Sequence, residues 1–255
     1  MTTLPSAFLT APITHRALHD VTQGRAENSA AAIHAAIEAG YGIEIDVQMS
    51  KDGQAMVFHD YHLARLTDET GPVQQRTQKE LSQITLKGGT DTIPTLDDVL
   101  KIVAGQVPLL IEIKDQDGRL GANVGRLEQA VATALQGYQG PVALMSFNPH
   151  SVQKMAGLCP DIPRGITSAA FDEAQWGLIP AGTRDRLRKI PDYDATGSCF
   201  ISHEAIDLPR ERVADLKRRG AHILCWTIRS AQAEAEARKI AQNVTFEGYQ
   251  AALPG

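Results

Sequence analysis

Short runs of apolar and β-branched residues alternate with helix-like patterns along most of the chain. Eight of these runs predict β-strands, and they cover residues 11–14, 42–48, 108–114, 141–146, 165–168, 199–202, 222–227 and 244–247. Strands that alternate with helices are typical of a parallel α/β fold. Eight is also the number of strands that closes a TIM (β/α)8 barrel. The pattern therefore predicts such a barrel.

Helical periodicity fills most of the intervals between these strands. In several segments the apolar residues recur every three or four positions, which places them on one face of a helix. The predicted helices lie within residues 28–40, 95–103, 124–135, 213–220 and 231–241. Gly40 and Gly220 mark two of the helix ends.

A doubly wound parallel sheet is the alternative α/β architecture. Nucleotide-binding folds of that type carry a Gly-x-Gly-x-x-Gly turn after the first strand or a Walker A loop. Neither motif occurs in this sequence. The barrel is therefore the favoured architecture.

The interval between the second and third predicted strands is too long for one crossover. Residues 47–107 separate these strands, although only residues 95–103 are needed for a helix. The surplus predicts a small, hairpin-rich insertion over roughly residues 60–92, placed at the barrel mouth. We expect residues 1–255 to form one barrel domain that includes this insertion.

Composition and charge narrow the classes of function. Hydrophobic residues make up 43% of the 255 and charged residues 22%, which is typical of a globular protein. Thirty acidic residues against 25 lysines and arginines give a net charge of −5, which disfavours binding to nucleic acid and stable membrane association. Three scattered cysteines predict free thiols, and no signal peptide or membrane span is visible. We therefore expect a cytoplasmic protein with a small-molecule partner. The sequence does not indicate the oligomeric state.

Two acidic residues share one face of the second predicted strand. In the sequence Ile-Glu-Ile-Asp-Val (43–47), Glu44 and Asp46 are two positions apart, so both side chains point the same way. Neighbouring carboxylates repel each other unless a proton or a cation lies between them. Mg²⁺ and Ca²⁺ prefer oxygen ligands of this kind. A solvent-facing edge strand with two unpaired acids is the alternative interpretation.

The third predicted strand repeats the pattern. In Ile-Glu-Ile-Lys (111–114), Glu112 and Lys114 share a face. If strand order follows the sequence, Glu112 meets the first two carboxylates and completes a metal site, and Lys114 adds a positive charge beside it. A structural ion pair is the alternative, but active sites of this fold lie at the carboxyl ends of the strands.

Two histidines follow strand-like runs. His15 ends the first predicted strand together with Arg16, and the dipeptide of His59 and Asp60 follows the alternating run 54–58. Histidine suits general acid–base chemistry because its pKa lies near neutrality. The other six histidines are interpreted as surface or core residues.

An ordered series of motifs resembles the glycerophosphodiester phosphodiesterase family. It comprises Thr-His-Arg-Ala (14–17), Ala-Glu-Asn-Ser (26–29), residues 43–47, the run 51–60, Arg65-x-Thr67, Gly71-x-Val73, Ile-Pro-Thr-Leu (93–96) and residues 111–114. Weaker similarity continues in residues 146–148 and 226–228. The series covers about the N-terminal half of the chain in the family's order.

The resemblance implies a barrel with an insertion after the second strand and assigns roles to individual residues. By this similarity one divalent cation, Mg²⁺ or Ca²⁺, is held by the carboxylates of Glu44, Asp46 and Glu112. His15 and His59 form the acid–base pair, and Arg16 and Lys114 contact phosphate. Trp226 lines the alcohol pocket, and Glu27 supports the site from behind.

The sequence departs from the family pattern at several positions. Ala17 and Ala26 replace the usual Gly and Pro, but both are small, so we expect the loop path to be kept. Arg229 stands where Asn is common, which puts substrate preference in question. The last strand reads Val-Thr-Phe-Glu-Gly (244–248) instead of ending in Thr-Asp, so the contribution of this strand is open.

These features predict metal-dependent hydrolysis of a glycerophosphodiester to glycerol 3-phosphate and an alcohol. A related barrel phospholipase acting on phosphoinositides or sphingomyelin is the alternative, and a non-catalytic barrel that binds phosphodiesters is a more distant one. The preferred metal, the head group and the division of labour between the two histidines stay open.

Overall fold

A computed structural model describes residues 2–253, which contain nine β-strands and ten α-helices. The strands are β1 (Ile13–Thr14), β2 (Gly42–Met49), β3 (Ala55–Val57), β4 (Leu109–Ile113), β5 (Val142–Ser146), β6 (Arg164–Ser168), β7 (Phe200–Glu204), β8 (His222–Ile228) and β9 (Asn243–Phe246). The helices are α1 (Ala7–Thr10), α2 (Ala30–Glu38), α3 (Gln78–Leu81), α4 (Leu96–Val103), α5 (Arg126–Ala134), α6 (Pro149–Leu158), α7 (Glu173–Trp176), α8 (Ala181–Leu187), α9 (Glu211–Arg218) and α10 (Ala231–Ala237).

Eight of the strands form a closed parallel barrel. Their order is β1-β9-β8-β7-β6-β5-β4-β2, and β1 closes the ring because it pairs with both β9 and β2. The ninth strand, β3, adds to β2 in the antiparallel direction. The predicted TIM barrel is confirmed, and each of the eight predicted strands corresponds to one barrel strand within a few residues.

The crossover helices form where the sequence supplies both a cap and an apolar face. In α4, Thr95 and Asp98 form a reciprocal capping box, and in α2 the Ser29 hydroxyl accepts from the Ala32 amide. Helices α2, α4, α5 and α6 pack their buried residues against the outer face of β2, β4 and β5. This burial of apolar surface is the main force that holds the helical layer on the barrel.

The inside of the barrel is divided into an apolar floor and a polar upper part. The floor is a cluster of buried side chains near the amino ends of the strands, including Ile13, Leu110, Ala143, Phe200 and Leu224. Because side chains two positions apart share a face, the residues that follow along each strand point into the upper part of the same interior. This arrangement places polar groups at the carboxyl ends of the strands.

The segment between β2 and α4 contains fewer hairpins than expected. Its pairing consists of β3 and the isolated bridges Met56–Thr95, His62–Pro72 and Thr85–Thr92. Helical turns take the remaining places, since Thr77 and Glu80 cap α3 and favour a helix there. A separate apolar cluster holds the segment together: Ala26, Met56, Phe58, Leu63, Val73, Leu81, Ile84, Leu86 and Ile93. The single-domain boundary 1–255 and the insertion limits stay predictions.

None of the helices between residues 2 and 253 combines the length and apolar character needed to cross a bilayer.

Candidate active site

A cavity of about 660 Å³ opens at the carboxyl ends of the strands. Eight of the nine residues singled out from the sequence line it: His15, Arg16, Glu44, Asp46, His59, Glu112, Lys114 and Trp226. The ninth, Glu27, lies behind Arg16 and contacts its guanidinium. The fold therefore brings together residues that are up to 211 positions apart in the sequence.

Three buried carboxylates meet on adjacent strands. Glu44 and Asp46 lie on β2 and Glu112 on β4, and the parallel register places Asp46 beside Glu112. One oxygen from each lies within 4.8 Å of the others. The Arg16 amide donates to Glu44 Oε2 at 2.8 Å, which fixes the position of that carboxylate.

Lys114 lies between two of these acids. Its ammonium group is 2.8 Å from Asp46 Oδ1 and 2.7 Å from Glu112 Oε1. On the other side, the Asn28 side-chain amide donates to Asp46 Oδ2 at 3.0 Å. Asp46 is therefore held from both sides, and its orientation is fixed before any ligand binds.

The close approach of like charges separates the pKa values of the acids. Burial raises the pKa of Glu44 well above its usual value, and the charges of Asp46 and Glu112 raise it further. Burial alone would also raise the pKa of Asp46, but the charges of Lys114, His59 and Arg16 hold it well below its usual range. Glu44 is thus the carboxyl whose ionisation its surroundings oppose, whereas those of Asp46 favour its carboxylate form.

The donor set fits a hard divalent cation. Mg²⁺ and Ca²⁺ are bound through carboxylate oxygens, and three such oxygens converge here from Glu44, Asp46 and Glu112. A cation among them would relieve the repulsion that raises the pKa of Glu44. The same three residues are those predicted from the sequence as metal ligands.

Arg16 is aimed into the cavity by an unusual backbone conformation. Arg16 and Ala17 both have left-handed φ values, 53° and 63°. Such a conformation favours glycine, which is the residue that the family resemblance leads one to expect at the position of Ala17. The Arg16 Nη1 donates to Glu27 Oε1 at 2.8 Å, and Glu27 also accepts two bonds from Arg65. Burial alone would raise the pKa of Glu27, but its bonds to these two arginines lower it.

His59 lies just after β3 and is backed by a carboxylate. Its Nδ1 is 2.6 Å from Asp60 Oδ1, and Asp60 in turn accepts two bonds from Arg65. Arg65 therefore joins the support of His59 to that of Arg16 through Glu27. This ion-pair network holds both cavity residues in place from the outer side.

His15 lies just after β1 and is backed in the same way from the last strand. Its Nδ1 donates to Glu247 Oε2 at 2.5 Å. Burial lowers the pKa of His15, while the bond to Glu247 acts in the opposite direction. Both histidines thus use one ring nitrogen for a carboxylate and line the cavity with the rest of the ring.

The opposite side of the cavity is aromatic. Phe147 follows β5, Trp176 ends α7 and Trp226 lies on β8; we call these three residues the aromatic wall. Phe147 packs against Trp176 and Trp226 with ring centroids 4.9 and 5.5 Å apart. The Trp226 indole nitrogen donates to the Ser202 carbonyl at 3.1 Å, which fixes the ring. We call the facing set the charged wall: His15, Arg16, Glu44, Asp46, His59, Glu112 and Lys114.

Several residues of this site were missed in the sequence. Asn28 contacts Asp46 and has a φ of 59°, a conformation that Asn tolerates better than most residues. The motif Ala-Glu-Asn-Ser could have signalled it. Glu247 was left open because it departs from the family pattern. Phe147 stands in the weakly similar motif 146–148, which could have signalled it, whereas Trp176 carries no local signal of function, since isolated aromatics are usually core residues.

Sequence comparison places the chain among known proteins. The sequence model of the glycerophosphoryl diester phosphodiesterase family matches residues 15–245. YhdW of Bacillus subtilis, provisionally named a glycerophosphodiester phosphodiesterase, is 28% identical over 221 residues, which are 82% of this chain and 84% of that protein. A glycerophosphodiester phosphodiesterase of Caldanaerobacter subterraneus is 30% identical over 149 residues, 55% of this chain and 60% of its own.

Solved structures share the fold. An Oleispira antarctica phosphodiesterase, in complex with the product sn-glycerol 3-phosphate, superposes with a TM-score of 0.76 at 24% identity and covers 94% of each chain. A glycerophosphodiester phosphodiesterase of Parabacteroides distasonis gives 0.72 at 21% identity, covering 93% of this chain and 92% of its own. Since the family model spans nearly the whole barrel, from His15 to Thr245, the chain belongs to the glycerophosphoryl diester phosphodiesterase family of hydrolases.

Proposed function

We propose that the protein hydrolyses glycerophosphodiesters to glycerol 3-phosphate and an alcohol, in a reaction that depends on one divalent cation, Mg²⁺ or Ca²⁺. The observation that carries the proposal is the convergence of three buried carboxylates and two carboxylate-backed histidines in one cavity. Phosphodiester hydrolysis needs charge neutralisation and proton transfer at one place, and this cavity offers groups suited to both.

The product assignment is supported by the comparisons. The Oleispira antarctica phosphodiesterase binds sn-glycerol 3-phosphate as its product. The same fold and the family membership of this chain make glycerol 3-phosphate the expected product here as well.

Glu44, Asp46 and Glu112 would hold the cation. When bound, it supplies positive charge that neutralises a phosphate oxygen and favours an ionised hydroxyl nearby. Asn28 keeps Asp46 in the orientation that this role requires.

Arg16 and Lys114 would contact the phosphate. An ammonium group has three donors, and Lys114 uses two of them on Asp46 and Glu112. Arg16 uses Nη1 on Glu27. One N–H of Lys114 and the Nη2 group of Arg16 therefore stay available for phosphate oxygens at the edge of the carboxylate cluster.

His15 and His59 would act as the acid–base pair. One ring removes a proton from the attacking hydroxyl, which is either water or the glycerol 2-hydroxyl, and the other protonates the leaving alkoxide. Both rings have Nδ1 bound to a carboxylate, so Nε2 is the atom left for proton transfer. Attack by the 2-hydroxyl would pass through a cyclic phosphate.

The aromatic wall would receive the alcohol that leaves. Phe147, Trp176 and Trp226 offer flat apolar surface without a charged partner of their own. Such surface binds the methylene and methyl groups of a head-group alcohol, and ring faces also attract an ammonium group.

A coupled assay of glycerol 3-phosphate release tests the proposal. Glycerophosphocholine, glycerophosphoethanolamine and glycerophosphoglycerol serve as substrates, each with and without added Mg²⁺ or Ca²⁺. We expect metal-stimulated release from at least one of them. Vesicles containing lysophosphatidylcholine or sphingomyelin form the comparison arm, and turnover of these lipids alone would contradict the proposal in favour of a phospholipase.

A further inference from the structure

Glu247 is the point where three positively charged or protonatable side chains meet. His15 Nδ1 lies 2.5 Å from its Oε2, His19 Nε2 lies 3.5 Å from the same oxygen, and Arg229 Nη2 lies 2.7 Å from its Oε1. The carboxylate follows β9, directly across the barrel closure from His15. Its two oxygens are thus divided between His15 and Arg229.

This arrangement fixes which atom of His15 faces the cavity. A carboxylate can only accept a hydrogen bond, so His15 must carry its proton on Nδ1. Nε2 is then left as the free atom of the ring. Burial alone would raise the pKa of Glu247, but the hydrogen bond from His15, the nearby His19 ring and the charge of Arg229 hold it well below its usual range. Glu247 is therefore present as the carboxylate that this tautomer needs.

Arg229 completes the arrangement from the solvent side. Its Nε donates to Glu247 Oε1 at 2.8 Å and its Nη2 lies 2.7 Å from the same oxygen. The long Glu side chain would otherwise sample several rotamers. Arg229 and Glu247 are also two of the positions where this sequence departs from the family's Asn and Asp.

We propose that Glu247, held by Arg229, is the positioning residue that fixes the tautomer and orientation of His15. The inference rests on the proposed acid–base role of His15. His59 has its own carboxylate and arginine in Asp60 and Arg65. The two histidines are thus positioned independently, one from the last strand and one from the segment after β2.

The test is a kinetic comparison of Glu247→Gln, Glu247→Asp and Arg229→Ala with saturating metal. A Gln amide donates to Nδ1 and selects the wrong tautomer, so kcat should fall about 100-fold with KM changed by less than about 3-fold. Glu247→Asp keeps the carboxylate and should recover part of this loss. Arg229→Ala should lower kcat by a smaller factor, also without raising KM. Glu204→Gln is the matched control, because Glu204 also lies at the carboxyl end of a barrel strand, β7, and bonds only the Ala170 amide among the described contacts.

A spectroscopic measurement separates positioning from a merely structural role. In ¹⁵N-labelled protein, two-bond ¹H–¹⁵N spectra should show His15 protonated at Nδ1 in the wild type and in Glu204→Gln, and at Nε2 in Glu247→Gln.

The outcomes distinguish this inference from the proposed function. If His15→Ala loses turnover while Glu247→Gln keeps kcat within about 2-fold of wild type, the positioning role is overturned and the acid–base role stands. If His15→Ala itself retains turnover, the proposed function fails. A raised KM with unchanged kcat in Arg229→Ala would show that Arg229 binds substrate instead of holding Glu247.

Discussion

The charged wall and the aromatic wall differ in chemistry and in origin. All of the charged wall comes from residues 15–114, and its side chains are held by ion pairs and hydrogen bonds, as Asp46 is by Lys114 and Asn28. The aromatic wall comes from residues 147–226 and is held by ring packing. Under the proposed function, this difference corresponds to a division of labour, with the reaction on the first half of the barrel and alcohol selection on the second.

Chelation of the divalent cation bound at the charged wall should give the largest loss of activity. Removing divalent cations with EDTA should reduce glycerol 3-phosphate release to the uncatalysed background, because the three carboxylates then hold no positive charge for the phosphate. Mg²⁺ or Ca²⁺ should restore it. Calorimetric titration should also show weaker Ca²⁺ binding by Glu44→Gln than by Glu204→Gln. Full turnover in rigorously metal-free protein would remove the metal from the reaction.

The two histidines should give the next largest effect. His15→Ala and His59→Ala should each lower kcat by about 10²–10⁴-fold, since each removes one proton-transfer group. Ca²⁺ affinity and the melting temperature should change little in both variants. His34→Ala, on the outer helix α2, is the matched control and should keep wild-type kcat. Wild-type turnover in both cavity variants would end the acid–base assignment.

Substitutions in the aromatic wall should weaken substrate binding and so raise KM. Trp176→Ala should raise KM by up to about 10-fold with kcat largely kept, because one ring contact is worth about 0.5–1.5 kcal/mol. The effect should vary with the leaving alcohol and be larger for choline than for glycerol. Steady-state kinetics on glycerophosphocholine and glycerophosphoglycerol measure the difference. A loss in kcat alone, equal for both substrates, would contradict the division of labour.

The smallest effect on activity should come from a histidine outside both walls. His203 on β7 is fully buried, with ring contacts to Ser168 at 2.8 Å and Asp207 at 3.1 Å. His203→Gln should leave kcat unchanged and lower the free energy of unfolding by about 1–3 kcal/mol. This variant would show that a carboxylate contact alone does not make a histidine part of the reaction.

The burial of His203 predicts that the free energy of unfolding depends on pH. Burial lowers the pKa of His203, although Asp207 acts in the opposite direction. Protonation of His203 therefore favours the unfolded chain. The contribution of His203 to the free energy of unfolding is fully present above about pH 6.5, the usual pKa of histidine in an unfolded chain, and is lost as the pH falls below that value. Thermal melts at several pH values should show a shallower fall on acidification in His203→Gln than in the wild type. Equal slopes would contradict the prediction.

The barrel strands could be predicted from the sequence because both of their faces are buried, so each appears as a compact apolar run. Their ends could not be placed as well. β1 was expected over residues 11–14 but begins at Ile13, since Pro12 has no N–H to donate to a ladder. The hairpins expected between β2 and α4 are mostly helical turns, because that expectation rested on the length of the segment, whereas local caps such as that of Thr77 favour helical turns.

The two walls were unequally visible in the sequence. Glu44 and Asp46 stand two residues apart on one strand, so their common orientation follows from β geometry. Trp226 was identified only by its place in a motif, and its contact with Phe147 depends on how strand β8 and the segment after β5, far apart in the sequence, come together. Glu247 could not be assigned because its partner His15 is 232 positions away, and only barrel closure brings them together.

Barrel closure itself depends on the shortest strand. β1 has two residues, yet it carries the ladders to both β2 and β9, and His15 follows it directly. A growing chain that has not passed β9 lacks a partner for the free side of β1, and one that has not passed residue 247 also lacks the carboxylate that His15 contacts. Competence for the proposed reaction should therefore arise only after Glu247 has been synthesised and β9 has paired with β1.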